Sequence, residues 1–135
     1  MQPRKRSPAP SPGVGETTSG TRFAHPVEKA LATVFDRLGI AWRYEPRTFP
    51  LAWRDGVVIE ACTPDFYLPE LDVYVECTVM KQRLASKKTR KYRKLRAQFG
   101  VVAEIMYRRD FIRLGRRLGF PELELAALGL DEAEE

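Results

Sequence analysis

The sequence predicts an α/β fold in which a mixed central sheet is flanked by helices. Two helical patterns of apolar residues, with extended runs rich in β-branched and aromatic residues before and after the second of them, predict this fold. A helix that joins two strands in this way is typical of the right-handed crossover between parallel neighbours. The predicted order is therefore helix, three strands, helix, strand, helix, with both parallel and antiparallel pairs.

The first predicted helix begins at Pro26, because proline suits the first helical position and apolar residues follow it at helical spacing. It ends at Gly39, a natural C-terminal stop. The segment 40–53 contains several aromatic residues and favours a strand. Pro46 and Pro50 confine this strand to a sheet edge or break it in two, because proline cannot donate a hydrogen bond to a neighbouring strand.

The next two predicted strands are joined by a tight turn of the chain. Asp55-Gly56, a dipeptide typical of such turns, leads into the first of them at 57–68. The residues 69–72 include a proline and two acids, and they reverse the chain into the second strand at 73–80. These two strands therefore form an antiparallel pair in the predicted sheet.

A helix, a strand and a last helix complete the predicted fold. The strongly basic segment 84–99 has a thin apolar seam at helical spacing, and Gly100 ends it. The apolar run 101–107 is short and bounded by polar residues, so we expect a buried strand. Asp110 is expected to cap the last helix, which runs to Leu118.

Length, charge and cysteine content place one domain between two tails. The chain has 135 residues and a net charge of +5, which suits a single basic domain. We predict a disordered basic tail at 1–22, a folded domain at 23–120 and an acidic tail at 121–135. No stretch is apolar enough for a membrane span, and the two cysteines lack disulfide or zinc spacing. We therefore expect a cytoplasmic protein with no membrane partner.

Two acidic residues of the predicted antiparallel pair face each other. If 69–72 form the loop, Leu68 lies opposite Val73, and the same register places Asp65 directly across from Glu76. Opposed side chains have Cβ atoms about 5 Å apart. Two carboxylates this close repel unless a cation lies between them, and Mg²⁺ or Mn²⁺ suits hard oxygen ligands. The sequence therefore predicts a divalent metal site, and the alternative is two separately solvated acids.

The segment 81–96 carries a high concentration of positive charge with almost no acid to pair with it. A solvated helix face is one interpretation. Because so many like charges repel one another, we favour an anionic polymer that neutralises them. The predicted nucleic-acid-binding residues are Lys87, Lys88, Arg90, Lys91 and Lys94.

Pro64-Asp65, the strand with Glu76-Cys77-Thr78 and the earlier helix with Glu28 together resemble the core of the PD-(D/E)XK nuclease superfamily. The resemblance covers roughly 23–120 and implies a restriction-endonuclease-like αβββαβ core. It implies that Asp65 and Glu76 ligate the metal, that the Cys77 carbonyl completes the coordination, and that Glu28 approaches from the first helix. Glu28 in that role is similar to the pattern of the resolvase and exonuclease branches. The structural alternative for Glu28 is a first-turn acid that complements the helix dipole.

The sequence departs from the family pattern at Thr78, where the pattern expects a lysine two residues after the glutamate. Threonine carries no charge, so it cannot stabilise the negative charge that develops on a scissile phosphate. Lys81 is the favoured replacement if the strand ends near Met80 and the chain swings this lysine back. Lys88 is the second candidate, because it stands four residues before Tyr92, a spacing similar to that in one branch of the family.

The resemblance implies a metal-dependent nuclease that hydrolyses DNA or RNA, with Mg²⁺ or Mn²⁺ as cofactor and with Glu28, Asp65, Glu76 and Lys81 as catalytic residues. Thr78 favours the alternative, a catalytically inactive nucleic-acid-binding module that keeps the nuclease fold. A third alternative is an adaptor whose cationic helix docks an acidic protein. The expected partner is a nucleic acid, with DNA preferred over RNA, and a homodimer or a partner protein is left open.

Overall fold

The protein is a mixed α/β structure in which helices flank a mixed sheet. The computed structural model describes residues 15–80 and 82–130, the side chains of 82–84 excepted. None of the helices in these ranges is long and apolar enough to cross a membrane. The elements are, in chain order, α1 (Pro26–Arg37), β1 (Arg43–Tyr44), β2 (Phe49–Arg54), β3 (Val57–Cys62), β4 (Phe66–Leu68), β5 (Val73–Cys77), α2 (Gln82–Phe99), β6 (Val102–Met106), α3 (Arg108–Leu118) and α4 (Pro121–Ala127).

Four strands form the main sheet in the order β1-β4-β5-β6. β4 and β5 are antiparallel, whereas β5 and β6 are parallel and are connected through α2. The predicted mixed sheet with a parallel crossover is confirmed. β2 and β3 form a separate two-stranded sheet, in which Asp55 and Gly56 at the turn have φ of 51° and 78°. Positive φ at both central residues is typical of the tight hairpin turn that this dipeptide predicts.

The chain is divided into more strands than the sequence predicts. The segment 40–53 is broken into β1 and β2 on either side of Pro46, which is one of the two predicted outcomes. The single strand predicted at 57–68 is wrong, because β3 belongs to the small sheet and β4 to the main sheet. Pro64 lies between them and has no N–H to continue a ladder. β5 ends at Cys77, before the predicted end of its strand.

Each face of the main sheet buries its own hydrophobic cluster. On one face, α1 and α4 pack over alternate side chains of β4 and β5, and Phe111 of α3 joins them. On the other face, residues of α2, β2 and β3 pack against Tyr67 and Tyr74. Side chains alternate between faces along a strand, so Glu76 points to the same face as Tyr74. The predicted acid therefore lies on the side of the sheet that α2 and the small hairpin cover.

The last predicted strand and helix differ in detail from the structure. β6 is an edge strand with an exposed Val102, and not the fully buried strand that its apolar run predicts. α3 begins at Arg108, so Asp110 is not its cap. Instead, the Asp110 carboxylate accepts a hydrogen bond from the N–H of Tyr107 at 2.8 Å. The acid stabilises the helix start from within the first turn.

The folded part of the chain extends past the predicted boundaries of 23–120 at both ends. Glu16, within the predicted N-terminal tail, donates its backbone N–H to the carbonyl of Trp42 at 2.9 Å. The first residues of the predicted acidic tail form α4, whose Leu123 is completely buried in the core. α4 packs against both α1 and α3. The rest of the two predicted tails, 1–14 and 131–135, lies outside the described residues.

Candidate active site

The antiparallel pair of β4 and β5 has the register that the sequence predicts. Leu68 pairs with Val73, and continuing this register brings Asp65 opposite Glu76. The backbone N–H of Asp65 donates to Oε1 of Glu76 at 3.0 Å. The N–H of Cys77 donates to Oδ2 of Asp65 at 2.8 Å. Both carboxylates are buried, each on a residue that is 7% exposed. The two acids are therefore neighbours, as predicted.

Two side chains of α2 hold the Glu76 carboxylate. Nζ of Lys88 lies 2.7 Å from Oε2 of Glu76 and 3.4 Å from the carbonyl oxygen of Cys77. The hydroxyl of Tyr92 donates to Oε1 of Glu76 at 2.7 Å. Residues four apart lie on the same helix face, so one face of α2 delivers both groups. The structure thus brings the second lysine candidate to the site, while the favoured Lys81 lies outside the described residues.

Glu28 approaches the acidic pair from α1. Its Oε1 accepts hydrogen bonds from the N–H of Ala24 at 3.1 Å and from the hydroxyl of Tyr44 at 2.5 Å. Burial and this bond to Glu28 raise the pKa of Tyr44, so the tyrosine stays protonated and continues to donate. Glu28 is only 6% exposed as a residue, although it lies in a first helical turn. Its buried contacts distinguish it from a solvated acid that merely complements the helix dipole.

Negative charge accumulates around Asp65. Burial, followed by the charges of Glu76 and Glu28, raises the pKa of the Asp65 carboxyl to about 8. Burial, followed by the charges of Glu28 and then Glu76, also raises the pKa of the Glu45 carboxyl. The ammonium of Lys88 acts in the opposite direction, but it offsets this rise in the pKa of Asp65 only in part. Because these acids are only partly neutralised, the binding of a further cation among them is electrostatically favourable.

The oxygens around the Lys88 ammonium suit a hard divalent cation. This ammonium already contacts the Glu76 carboxylate and the Cys77 carbonyl, two of the groups that the resemblance assigns to a metal. The third group is Asp65, whose Oδ1 accepts no hydrogen bond from the described residues. Mg²⁺ typically keeps several waters beside one or two carboxylates, so these oxygens fit it. Across 15–80 and 82–130, however, no three or more His, Cys, Asp or Glu side chains form a metal-binding group.

The candidate site opens into a cleft of about 800 Å³ between α2 and the β2–β3 hairpin. Glu76 and Tyr92 line this cleft together with four of the five predicted nucleic-acid-binding residues, namely Lys87, Lys88, Lys91 and Lys94. The fifth, Arg90, does not line it. Lys94 forms an ion pair with Glu60 at 2.8 Å, as Lys88 does with Glu76. The expectation that these cations lack acidic partners is therefore wrong for two of them.

Thr78, which stands where the PD-(D/E)XK pattern would have a lysine, lies just beyond β5 and outside the lysine-lined cleft. It is 3% exposed and lines a different depression, between α2 and α3. Its N–H donates to the carbonyl of Met106 at 2.9 Å, and its hydroxyl has no hydrogen-bond partner among the described residues. The ammonium beside Glu76 therefore comes from the helix, and Thr78 takes no part in that contact.

Two residues beside Asp65 are not assigned to the site by their sequence pattern. Tyr44 is one of the aromatic residues of the predicted strand segment 40–53, and Glu45 matches no motif. The pairing of β1 with β4 brings both to the site, and the N–H of Glu45 donates to the carbonyl of Asp65 at 2.8 Å. β1 has only two residues and pairs with a distant segment, so no local pattern could reveal these neighbours. The positive φ of 47° at Glu45 is a structural signal that the sequence does not show.

No family model, curated protein or solved structure matches this chain. The geometry of the site itself is therefore what indicates its chemistry. The site consists of a buried carboxylate pair, an ammonium and a tyrosine hydroxyl that contact one of those carboxylates, and a basic cleft beside them.

The raised pKa of Asp65 predicts that Asp65→Asn stabilises the protein at alkaline pH in the absence of metal. In the unfolded chain the carboxyl ionises near its ordinary pKa of about 4, whereas in the folded chain it ionises near pH 8. Between about pH 4 and about pH 8 the folded state therefore binds more protons than the unfolded state. The contribution of Asp65 to the free energy of unfolding is fully present below about pH 4 and is lost as pH rises through about 8. Asparagine does not ionise and keeps an acceptor for the N–H of Cys77.

Urea unfolding with EDTA measures this effect. At about pH 8 we expect Asp65→Asn to raise the free energy of unfolding by about 1–3 kcal/mol, and at about pH 4 we expect little difference. Glu60→Gln is the control, because that carboxylate is paired with Lys94 and its pKa is lowered. Destabilisation by Asp65→Asn at the higher pH would contradict the argument.

Proposed function

We propose that this protein is a metal-dependent nuclease that hydrolyses phosphodiester bonds in a nucleic acid. The observation that carries the proposal is the contact of 2.7 Å between the Lys88 ammonium and Glu76, the acid that lies opposite Asp65. Lys88 and Glu76 also line the basic cleft. One site therefore combines ligands for a divalent cation, an ammonium within reach of a bound phosphate, and a positively charged wall for a polyanion.

The topology supports a restriction-endonuclease-like αβββαβ core as part of this proposal. α1 precedes the strands and carries Glu28 at its start. The antiparallel strands β4 and β5 then bring Asp65 and Glu76 together, and α2 leads from β5 to the parallel strand β6. If the separate β2–β3 hairpin is set aside, the order α1, β1, β4, β5, α2 and β6 supports the αβββαβ core that the resemblance to PD-(D/E)XK nucleases implies.

Each residue has a defined role in the proposed reaction. Asp65, Glu76 and the carbonyl of Cys77 would hold Mg²⁺ or Mn²⁺. When bound, such an ion supplies charge stabilisation to the phosphoryl group and makes water a better nucleophile at neutral pH. Lys88 donates to a phosphate oxygen as negative charge develops there, which replaces the contribution of the family's lysine. Tyr92 keeps the Glu76 carboxylate in a fixed orientation through its hydrogen bond.

A second candidate function is a nucleic-acid-binding module without catalysis. The ion pair between Lys88 and Glu76 favours it, because this pair neutralises one carboxylate with no metal required. Because the pKa of Asp65 is raised, its own carboxyl also stays partly protonated, and therefore partly neutral, at physiological pH. A protein with this charge balance could keep its fold and its basic cleft without binding a divalent ion.

Metal-dependent cleavage is the test that separates the two functions. Labelled single-stranded, duplex, flap and junction DNA, and the same forms of RNA, are incubated with Mg²⁺, Mn²⁺ or EDTA. We expect cleavage by the wild type only with metal, and its loss in Asp65→Asn and in Glu76→Gln, since each removes one anionic ligand. Glu60→Gln is the matched control, because Glu60 lines the same cleft but lies on the hairpin.

The possible outcomes lead to different conclusions. Nucleic-acid binding by the wild type without cleavage of any substrate would establish the binding module instead. Cleavage that persists at the wild-type rate in both acid variants would exclude Asp65 and Glu76 as the catalytic site. Mn²⁺ titration of the same variants gives a readout that does not depend on choosing the correct substrate.

A further inference from the structure

A second concentration of positive charge lies on α3. Five of its eleven residues are arginines, and Arg109, Arg113 and Arg117 recur at every fourth position. They therefore lie along one face of the helix, and we name these three residues the arginine stripe. All three are exposed, and none forms a hydrogen bond or ion pair with any residue that the structure describes. Arg116 differs, because it pairs with Glu124 of α4 at 2.9 Å.

The surface is continuous from the arginine stripe to the lysine-lined cleft. The stripe lines a depression of about 750 Å³, which shares Arg109 and Ile112 with the depression of about 510 Å³ between α2 and α3. Met80 in turn lines both that second depression and the cleft beside Glu76. Among the described residues that line the two depressions next to α3, none is acidic. The described lining is therefore free of acids from the stripe as far as Met80, where the cleft with its lysines, Glu60 and Glu76 begins.

The depression between α2 and α3 offers donors suited to phosphate oxygens. Arg108 and Arg109 line it, and Arg108 also donates to the carbonyl of Val79. Thr89 and Tyr107 line it too, but their hydroxyls are already hydrogen-bonded to the Ala85 carbonyl and to each other. Thr78 also lines it, and its hydroxyl is buried without a partner among the described residues. Hydroxyl and guanidinium groups are frequent phosphate-contacting groups in nucleic-acid complexes. This chemistry continues the phosphate-binding character of the lysine cleft on the other side of α2.

We propose that the arginine stripe of α3 contacts backbone phosphates of the same nucleic acid that occupies the lysine cleft. This inference rests on the proposed function, since it extends the substrate of that site. The substrate is then a polymer long enough to reach both sides of α2, with phosphates in the lysine cleft and along the stripe. An acidic protein would also satisfy the charge of the stripe, but the uninterrupted surface between stripe and cleft favours one extended polyanion.

A pair of charge-matched double variants tests the inference by binding alone. Arg109→Gln with Arg113→Gln removes two charges of the stripe, whereas Arg37→Gln with Arg43→Gln removes two arginines that already pair with Glu122 and Glu16 and that line neither depression next to α3. Affinity is measured in EDTA over a range of salt concentrations, on hairpin duplexes of about 8 and about 24 base pairs, lengths chosen from the spacing of phosphates along DNA.

We expect the stripe variant to bind the longer duplex about 10-fold more weakly at low salt, with a salt slope reduced by up to about 0.9 per lost phosphate contact. The shorter duplex should show a smaller difference, because it cannot reach both surfaces at once. The control variant should keep the wild-type slope on both duplexes. Circular dichroism checks that both variants are folded.

The failure of this inference and the failure of the proposed function give different results. A stripe variant with the wild-type slope on the longer duplex overturns the inference, while loss of binding in Lys87→Gln with Lys91→Gln would still support the nucleic-acid partner. If the wild type binds neither duplex nor any single-stranded or junction substrate, the proposed function fails first. The stripe would then have no nucleic acid to contact, and the inference would fall with it.

Discussion

Lys88→Met is expected to abolish cleavage while it strengthens metal binding. Methionine keeps much of the apolar stem but removes the ammonium that contacts Glu76 and the Cys77 carbonyl. Cleavage should fall by about 10²-fold or more, because one donor to the developing charge is lost. The affinity for Mn²⁺ should rise, because the ammonium and the divalent ion compete for the same oxygens. Single-turnover cleavage measures the first effect, and calorimetric titration with Mn²⁺ measures the second.

Lys87→Met is the matched control for this experiment. Lys87 lines the same cleft on the preceding helical position but has no contact with Glu76 among its described interactions. It should retain the wild-type Mn²⁺ affinity and, with enzyme in excess so that all substrate is bound, most of the single-turnover cleavage rate. If Lys88→Met lowers the Mn²⁺ affinity, the ammonium supports the metal site and does not compete with it. If Lys88→Met cleaves at the wild-type rate, the catalytic cation comes from Lys81 or from the metal alone.

The opposition of Asp65 and Glu76 could be predicted because a short turn determines it. The four residues 69–72 close the hairpin, and once Leu68 pairs with Val73 the remaining pairs follow with a period of two. The positions of both acids therefore depend only on interactions local to one hairpin. The alternation of side chains along β5 also explains why Glu76 and the Cys77 thiol point to opposite faces.

The identity of the lysine at the site depends on tertiary packing, which the sequence pattern does not specify. Lys81 and Lys88 are both near Glu76 in the chain, and the strand end that would select between them could not be located. The strand ends at Cys77, and α2 packs so that Lys88 and Tyr92 face the same carboxylate. The spacing of these two residues therefore indicated the contact of Lys88 with Glu76, whereas Lys81 lies outside the described residues and its role stays a prediction.

The composition of the C-terminal segment did not indicate that part of it belongs to the core. The segment 121–135 is acidic overall, which favours the prediction of a solvated tail. Pro121 nevertheless begins α4, and Leu123, Ala126 and Ala127 form an apolar face that packs on the core. Net charge averages over all faces of a helix, whereas packing depends on one of them. The helical spacing of Leu123, Ala126 and Ala127 therefore indicates the structure of this segment better than its net charge does.

Removing two lysines from the cleft is expected to weaken nucleic-acid binding far more than removing two arginines elsewhere on α2. Lys87 and Lys91 line the cleft beside Glu76, whereas Arg90 and Arg93 belong to the same helix but do not line it. Each double replacement by glutamine removes two positive charges, so the change in net charge is matched. Lys94 is left in place because Glu60 already neutralises it.

For Lys87→Gln with Lys91→Gln we expect affinity for duplex DNA to fall by about 10-fold to 10²-fold at low salt, and the salt slope to decrease by up to about 0.9 per lost contact. The Arg90→Gln with Arg93→Gln variant should stay close to the wild type. Fluorescence anisotropy in EDTA, repeated over a range of salt concentrations, separates lost phosphate contacts from a change in fold. Equal losses in both variants would mean that the whole basic helix, Arg90 included, binds nucleic acid, and no loss in either would remove α2 from the interface.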